Sequence, residues 1–210
     1  MTKQSYICIL GDFGCVWRLD NEDNYWLDWL EDKNFTTLFI PGNHECYPLL
    51  RSFPTEQWRG GVIRRIRPTV MMLERGEIFN INNNTFFCFG AARSVDKVYR
   101  KEGVSWWQDE QANRQEYENG INNLEKYNFN VDYILTHCAP NYLVDKLYPY
   151  ENQHDDTTNY LEKNIRQQTN FKKWMMGHYH LDRNYDNNKY NIFYQDIMEL
   201  MPDGQLIKVN

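Results

Sequence analysis

At the centre of the chain's pattern is Thr36-Thr37-Leu38-Phe39-Ile40-Pro41-Gly42-Asn43-His44-Glu45, an apolar, β-branched run followed by a turn and three polar side chains. The run predicts a buried parallel strand, because such strands are covered on both faces. Pro41 and Gly42 end the strand and turn the backbone. An amide, an imidazole and a carboxylate then follow at the strand's carboxyl end, the edge at which open α/β sheets bind ligands. The stretch therefore predicts a functional site directly after a strand.

Short apolar runs on both sides of this stretch predict further strands, and amphipathic segments predict helices between them. The predicted strands cover residues 6–10, 62–73, 78–90, 131–135, 173–176 and 190–209. The predicted helices cover residues 20–33, 45–53, 109–128 and 157–168, whereas 91–107 and 141–153 are predicted to be irregular. In the first helix, four apolar residues recur at helical spacing and are expected to pack in the core: Tyr25, Trp26, Trp29 and Leu30. The strand, helix and strand of residues 6–40 predict a right-handed βαβ unit.

Length and composition are those of one globular domain spanning residues 1–210. The chain is 41% hydrophobic and 16% aromatic, which speaks against disorder, and its net charge of −6 does not indicate nucleic-acid binding. The sequence has no apolar run long enough to span a membrane and no signal-peptide pattern. Its five cysteines lack CxxC spacing and fit reduced thiols better than disulfides. We therefore expect a cytoplasmic protein with no membrane partner.

Side chains able to bind a metal follow four separate predicted strands. They are Asp12, Asn43 with His44, His137, and His178 with His180. A single histidine after a strand is more often a hydrogen-bonded structural residue, but four of the chain's five histidines fall at these strand ends. Carboxylate, carboxamide and imidazole groups suit divalent Mn, Fe, Co, Ni or Zn. The lack of a cysteine cluster argues against a structural zinc site.

The motifs at these strand ends resemble those of the calcineurin-like metallophosphoesterases. The resemblance rests on four segments in order: Gly11-Asp12, Gly42-Asn43-His44-Glu45, Thr136-His137 and Gly177-His178-Tyr179-His180. It spans essentially the whole chain. The resemblance implies an α/β (α+β) fold, a β-sandwich flanked by helices, with a two-metal site at the strand ends. It also implies hydrolysis of a phosphomonoester or phosphodiester substrate by a metal-activated hydroxide.

Roles for individual residues follow from the same resemblance. Asp12 would bridge two metals, and Asn43, His137 and His178 would complete the coordination of the second metal, while His180 would bind the first. His44 would be the catalytic residue that contacts the phosphate and protonates the leaving oxygen. One or two divalent ions are expected as cofactors, with Mn favoured. Two further side chains, Arg93 and Arg100, are candidates for neutralising phosphate oxygens.

The beginning of the chain departs from the family pattern. Members begin with a strand ending in Asp-x-His, whereas the ten residues before Gly11 contain neither Asp nor His. The first strand, its helix and two ligands of the first metal are therefore expected to be missing. An uncovered sheet edge beside Leu10 and Ile40 then predicts self-association through the N-terminal region or reduced stability.

Two functions remain open on this pattern. The first is a phosphoesterase, weakened by the loss of two ligands. The second is a catalytically impaired relative that acts as a metal-, phosphate-ligand- or protein-binding module.

Overall fold

A computed structural model describes residues 1–209 and shows two β-sheets packed face to face. The first sheet contains β1 Tyr6–Ile9, β2 Thr36–Phe39, β3 Thr55–Trp58, β4 Gly61–Arg67 and β5 Val70–Leu73. Its strand order is β1-β2-β5-β4-β3, and β1, β2 and β5 run parallel. Within the described residues, β1 therefore lies at an edge of this sheet. The prediction that this edge mediates self-association stays a prediction.

The second sheet has six strands. They are β6 Glu77–Ile81, β7 Asn84–Phe89, β8 Tyr133–Thr136, β9 Lys173–Met176, β10 Arg183–Tyr185 and β11 Tyr190–Ile192. The order is β10-β11-β9-β8-β7-β6, with β7, β8, β9 and β11 parallel. A separate hairpin is formed by β12 Met198–Leu200 and β13 Leu206–Lys208.

Helices cover the outer face of each sheet. They are α1 Asn21–Glu31, α2 Tyr47–Ser52, α3 Arg114–Lys126, α4 Asn141–Leu147 and α5 Asp156–Tyr160, which continues as a π-helical turn Leu161–Arg166. Side chains cap several of their first turns: Asn113 and Glu116 form a reciprocal capping box on α3, and Asp155 caps α5. None of the helices in residues 1–209 is long and apolar enough to cross a membrane.

Three apolar cores hold the four layers together. The core between the sheets joins Leu38 and Met71 of the first sheet to Tyr133 and Leu135 of the second. Leu27 of α1 and Leu50 of α2 pack on the outer face of the first sheet. The outer face of the second sheet is covered by three side chains from α3, α4 and the turn after α5: Leu124, Leu143 and Leu161. The expected β-sandwich flanked by helices is thus confirmed.

The local predictions were correct for the strands before each site motif and wrong in three segments. Residues 141–153 were expected to be irregular, but α4 occupies Asn141–Leu147. This helix forms because Leu143 and Val144 are buried against the second sheet's core. Two short strands were not predicted: β3, which pairs antiparallel with β4, and β10, which pairs antiparallel with β11.

The phase of α1 was also predicted wrongly. Three of its aromatic side chains are exposed rather than in the core: Tyr25 at 61%, Trp26 at 45% and Trp29 at 43%. The buried face instead carries Leu27 and Asp23. The Asp23 carboxylate accepts hydrogen bonds from three successive backbone N–H groups, those of residues 17–19, at 2.6–2.8 Å. These bonds hold the Asp23 side chain on the buried face of α1. The helix face that carries the three aromatic side chains is therefore exposed to solvent.

Candidate functional site

The candidate site lies where parallel strands of both sheets end. Asp12 follows β1 and Asn43 follows β2, which are neighbours in the first sheet. His137 follows β8 and His178 follows β9, which are neighbours in the second sheet. Because each pair is parallel, the four carboxyl ends lie at the edge where such sheets bind ligands.

Three side chains meet at the centre of this edge. His137 donates a hydrogen bond from Nδ1 to the carbonyl oxygen of Leu10, at 2.6 Å. Its other ring nitrogen, Nε2, lies 3.0 Å from Oδ1 of Asn43 and 3.4 Å from Oδ1 of Asp12. His137 and Asn43 are buried, at 1% and 5% exposure. The carboxylate, the amide and the imidazole therefore converge on one small volume.

The orientation of the Asn43 amide is set by two buried residues further along the chain. Asn43 Nδ2 donates to the hydroxyl of Ser94 at 3.1 Å, and that hydroxyl donates to Oε2 of Glu110 at 2.5 Å. The backbone N–H of Ser94 also donates to Oε1 of Glu110, at 2.8 Å. The amide nitrogen therefore points away from the cluster, and the amide oxygen points into it.

This orientation gives the cluster donor atoms of the kind that a cation needs. When Nδ1 of His137 carries the ring proton, Nε2, the Asn43 oxygen and the Asp12 oxygen present three lone pairs to one another. Such groups repel unless a proton or a metal ion lies among them. Burial lowers the pKa of His137, but its hydrogen bond to Asp12 and the charge of Asp12 outweigh burial and raise it overall. The pKa of Asp12 is lowered, because bonding to His137 and to the His44 backbone exceeds the effect of burial. Both shifts favour a proton between His137 and Asp12 in the absence of metal.

The chemistry of the donor set fits a divalent ion with nitrogen and oxygen ligands. Among residues 1–209, no three His, Cys, Asp or Glu side chains by themselves form a group that could hold a metal. The Asn43 amide oxygen is therefore counted among the candidate donors, together with Asp12 and His137. Divalent ions of the first transition row accept this mixture of carboxylate, carbonyl oxygen and imidazole.

The two late histidines occupy different environments. The His178 ring lies 5.0 Å from that of His137, centroid to centroid. Burial lowers the pKa of His178 to about 3, and the positive charge of His137 adds to this effect. His178 is therefore neutral and able to act as a ligand. His180 is exposed, and its ring stacks on Tyr194 at 4.9 Å.

Backbone geometry sets three of the candidate residues apart. Asp12, His178 and His180 have positive φ angles of 53°, 69° and 50°. Residues other than glycine seldom adopt this region, and such conformations concentrate at functional sites. Each of the three lies in the turn that follows a strand, β1 for Asp12 and β9 for the two histidines.

His44 borders the cluster. Its backbone N–H donates to Oδ1 of Asp12 at 2.8 Å. Its ring contacts Nη2 of Arg100, with Nδ1 at 2.5 Å and Nε2 at 3.2 Å. Because a guanidinium group only donates, a ring nitrogen of His44 accepts from Arg100, and this contact holds the ring beside the cluster.

The two arginines proposed as phosphate ligands differ in position. Arg100 also forms an ion pair with Asp96 at 2.8 Å and donates to the carbonyl oxygen of Ser105 at 3.0 Å, so its guanidinium is fixed beside His44. Arg93 is half-exposed and faces Asp155, with Nε 4.0 Å from Oδ2. The structure thus brings Arg100 to the candidate acid and places Arg93 beside a different carboxylate.

Glu45, Ser94 and Glu110 support the site but were given no role from the sequence. Glu45 is fully buried and accepts hydrogen bonds from the backbone of Phe13 at 2.8 Å and of Gly42 at 3.4 Å. It ties the loop after β1 to the turn after β2. Burial raises the pKa of Glu45 to about 7, against these hydrogen bonds. Its place in the Gly-Asn-His-Glu motif was a usable signal, whereas Ser94 and Glu110 stand in no recognisable pattern.

The turns themselves leave no room for larger residues. A Cβ atom at Gly11 would collide with the His137 ring, and one at Gly42 would collide with the Asp12 carboxylate. Gly11 also has a φ of +96°, which other residues rarely adopt. Both glycines are therefore required by the close approach of the strand ends.

A sandwich of two sheets that gathers a carboxylate, a carboxamide and imidazoles at its strand ends has the features of a metal-dependent hydrolase. The family model for calcineurin-like phosphoesterase matches residues 2–182. The chain belongs to this family, whose members bind divalent metals and hydrolyse phosphoesters. No curated protein matches the chain at a significant level.

Proposed function

We propose that this chain hydrolyses a phosphomonoester or phosphodiester with the help of divalent metal, held by Asp12, Asn43, His137, His178 and His180. The observation that carries the proposal is the convergence of the Asn43 oxygen and the Asp12 oxygen on Nε2 of His137, 3.0 and 3.4 Å away. A bound ion polarises phosphoryl oxygens and lowers the pKa of the attacking water. The family match supports this class of reaction.

The residues around the cluster supply the remaining chemistry. His44 is the residue that we assign as the general acid for the leaving oxygen, and its ring is held beside the cluster by Arg100. The bond from the His44 backbone to Asp12 keeps the acid beside the ion's carboxylate ligand. Arg100 contributes positive charge at the same place, where negative charge develops on the phosphoryl group.

We further infer that one ion binds more tightly than a second. Asp12, Asn43 and His137 are already in contact, whereas His180 must leave Tyr194 to serve as a ligand. Mn²⁺ is the ion we favour, and we place the protein in the cytoplasm because its five cysteines are free thiols.

Metal analysis combined with turnover tests this function. The protein loaded with Mn²⁺ is dialysed, its metal content is measured by elemental analysis, and hydrolysis of an aryl phosphate ester is followed. We expect about one retained ion per chain and metal-dependent hydrolysis. The Asn43→Ala variant should lose both, while His154→Ala, which alters the one histidine outside the site, should keep both. Retention of no metal by the unaltered chain would refute the proposal.

The second candidate function is a module that binds metal or a phosphate ligand without turnover. It is favoured by the exposed, stacked position of His180, which leaves a second ion with fewer ligands. Metal binding without hydrolysis of either a phosphomonoester or a phosphodiester would select this candidate.

A further inference from the structure

A cavity of about 220 Å³ opens directly beside the candidate site. His178 belongs to both, because its ring lines the cavity and also contacts the His137 ring. Tyr179 continues the wall, with its ring centroid 5.0 Å from that of His178 and 6.3 Å from that of Tyr148. The cavity is therefore within reach of a group attached to a phosphate at the strand ends.

The size and walls of the cavity favour one flat ring system. Its volume is below the roughly 300–1,000 Å³ of sites that enclose a whole drug-sized ligand. The inner wall is apolar, formed by the buried side chains of Val144 and Cys138. Tyr148 also lines the cavity and is partly exposed, which leaves aromatic surface for a second ring. A branched or long alkyl group would leave these flat surfaces poorly used.

One side of the cavity is polar and carries both signs of charge. Asp155 accepts the backbone N–H of Thr158 through Oδ1, and its Oδ2 faces Nε of Arg93 at 4.0 Å. Within residues 1–209, Arg93 donates no hydrogen bond to another group, so its guanidinium can donate to a ligand. The carboxylate accepts, and it would repel a second phosphate. This side of the cavity therefore suits the edge of an uncharged ring that has hydrogen-bond acceptors for Arg93 beside hydrogen-bond donors for Asp155.

We propose that the cavity binds the organic part of the phosphoester, and that this part is a heteroaromatic ring of nucleobase size. The substrate class is then a nucleotide phosphoester, with its phosphate at the strand ends, its base against Tyr148 and the base edge on Arg93 and Asp155. This assignment rests on the proposed phosphoesterase function.

Guanosine 5′-monophosphate and ribose 5-phosphate form the discriminating pair, because they share the same phosphate ester and differ by the base. We expect kcat/KM to be at least about 10-fold higher for the nucleotide, as stacking on one aromatic ring alone supports. Equal values for the two substrates would overturn the cavity assignment while leaving phosphoester hydrolysis intact.

Variants of residues that line the cavity test whether the preference for the nucleotide arises there. Tyr148→Ala should reduce the nucleotide's advantage over ribose 5-phosphate about 10-fold. Tyr150→Ala, at a tyrosine that is 98% exposed, should leave that ratio as it is. Asp155→Asn keeps a good N-cap on α5 while removing the negative charge, and it should also reduce the ratio. An unchanged ratio in both Tyr148→Ala and Asp155→Asn would refute the assignment.

Calorimetry separates this proposal from the proposed function. If neither ester is hydrolysed, the phosphoesterase function fails. Binding of guanosine 5′-monophosphate, and its loss in Tyr148→Ala, would then still support the cavity. Absence of nucleotide binding, or equal binding of ribose 5-phosphate, would reject it.

Discussion

Replacing Ser94 by alanine should weaken metal binding although Ser94 touches none of the expected ligand atoms on Asp12 or His137. The hydroxyl accepts a hydrogen bond from Asn43 Nδ2 at 3.1 Å and donates to Glu110 at 2.5 Å. Without it, the Asn43 amide can rotate and present its NH₂ group to the cluster. The bound cation would then face the NH₂ group of Asn43 in place of the amide oxygen that can coordinate it.

The structure sets the size of the effect. The lost bond between the Ser94 hydroxyl and the Glu110 carboxylate involves a charged group that is 1% exposed, so about 1.5–3 kcal/mol of unfolding free energy should be lost. Removing a residue that orients a metal ligand typically lowers metal affinity about 10–100-fold. The loss of stability and the loss of metal affinity can be measured separately.

Titration calorimetry with Mn²⁺ gives the affinity, and thermal unfolding without metal gives the stability. Thr85→Ala is the matched control, because the Thr85 hydroxyl donates to the Asp132 carboxylate at 2.9 Å, at the start of β7. Both variants should melt at lower temperature. Only Ser94→Ala should raise the Kd for Mn²⁺ about 10–100-fold. The reasoning fails if Ser94→Ala binds Mn²⁺ as tightly as the unaltered chain, or if Thr85→Ala weakens binding equally.

Three further predictions concern the cluster itself. His44→Ala should lower kcat about 10²–10⁴-fold while bound metal, measured by elemental analysis, stays unchanged; equal metal loss would make His44 a ligand. Asn43→Ala should instead release the metal, with His154→Ala as a control that retains it. In the metal-free protein, the raised pKa of His137 means that its contribution to stability is complete below about pH 6.5 and is lost as pH rises through that pKa. Because the metal replaces this proton, added Mn²⁺ should raise the melting temperature more at pH 8 than at pH 6, and an equal rise at both would contradict the proton's role.

The positions of the candidate ligands could be predicted because they depend on local sequence. Asp12, Asn43, His137 and His178 each follow a short apolar run, and the runs form the parallel strands β1, β2, β8 and β9. Parallel strands bring their carboxyl ends to one edge, so a pattern at each strand end was sufficient. The motif glycines add the same information, because the turns need residues without a side chain.

What the sequence could not predict depends on contacts between distant segments. The buried phase of α1 is set by three backbone bonds to Asp23, an acidic residue that composition would place on the surface. The orientation of Asn43 is set by Ser94, 51 positions away along the chain. No periodicity or spacing marks either contact, because neither side chain belongs to a repeating apolar pattern.

The segment 91–110 connects these observations. Ser94 fixes the amide of Asn43, Arg100 contacts the ring of His44, and Arg93 lines the cavity beside His178. The strand-end motifs carry the candidate metal ligands and the candidate acid. Segment 91–110 contacts both of these and also lines the proposed substrate cavity. Changes along it should therefore affect metal affinity, proton transfer and substrate preference separately, according to which of the three side chains is altered. A chain that kept its motifs, Ser94 and Arg100 but differed at Arg93 should keep the reaction and change its substrate preference.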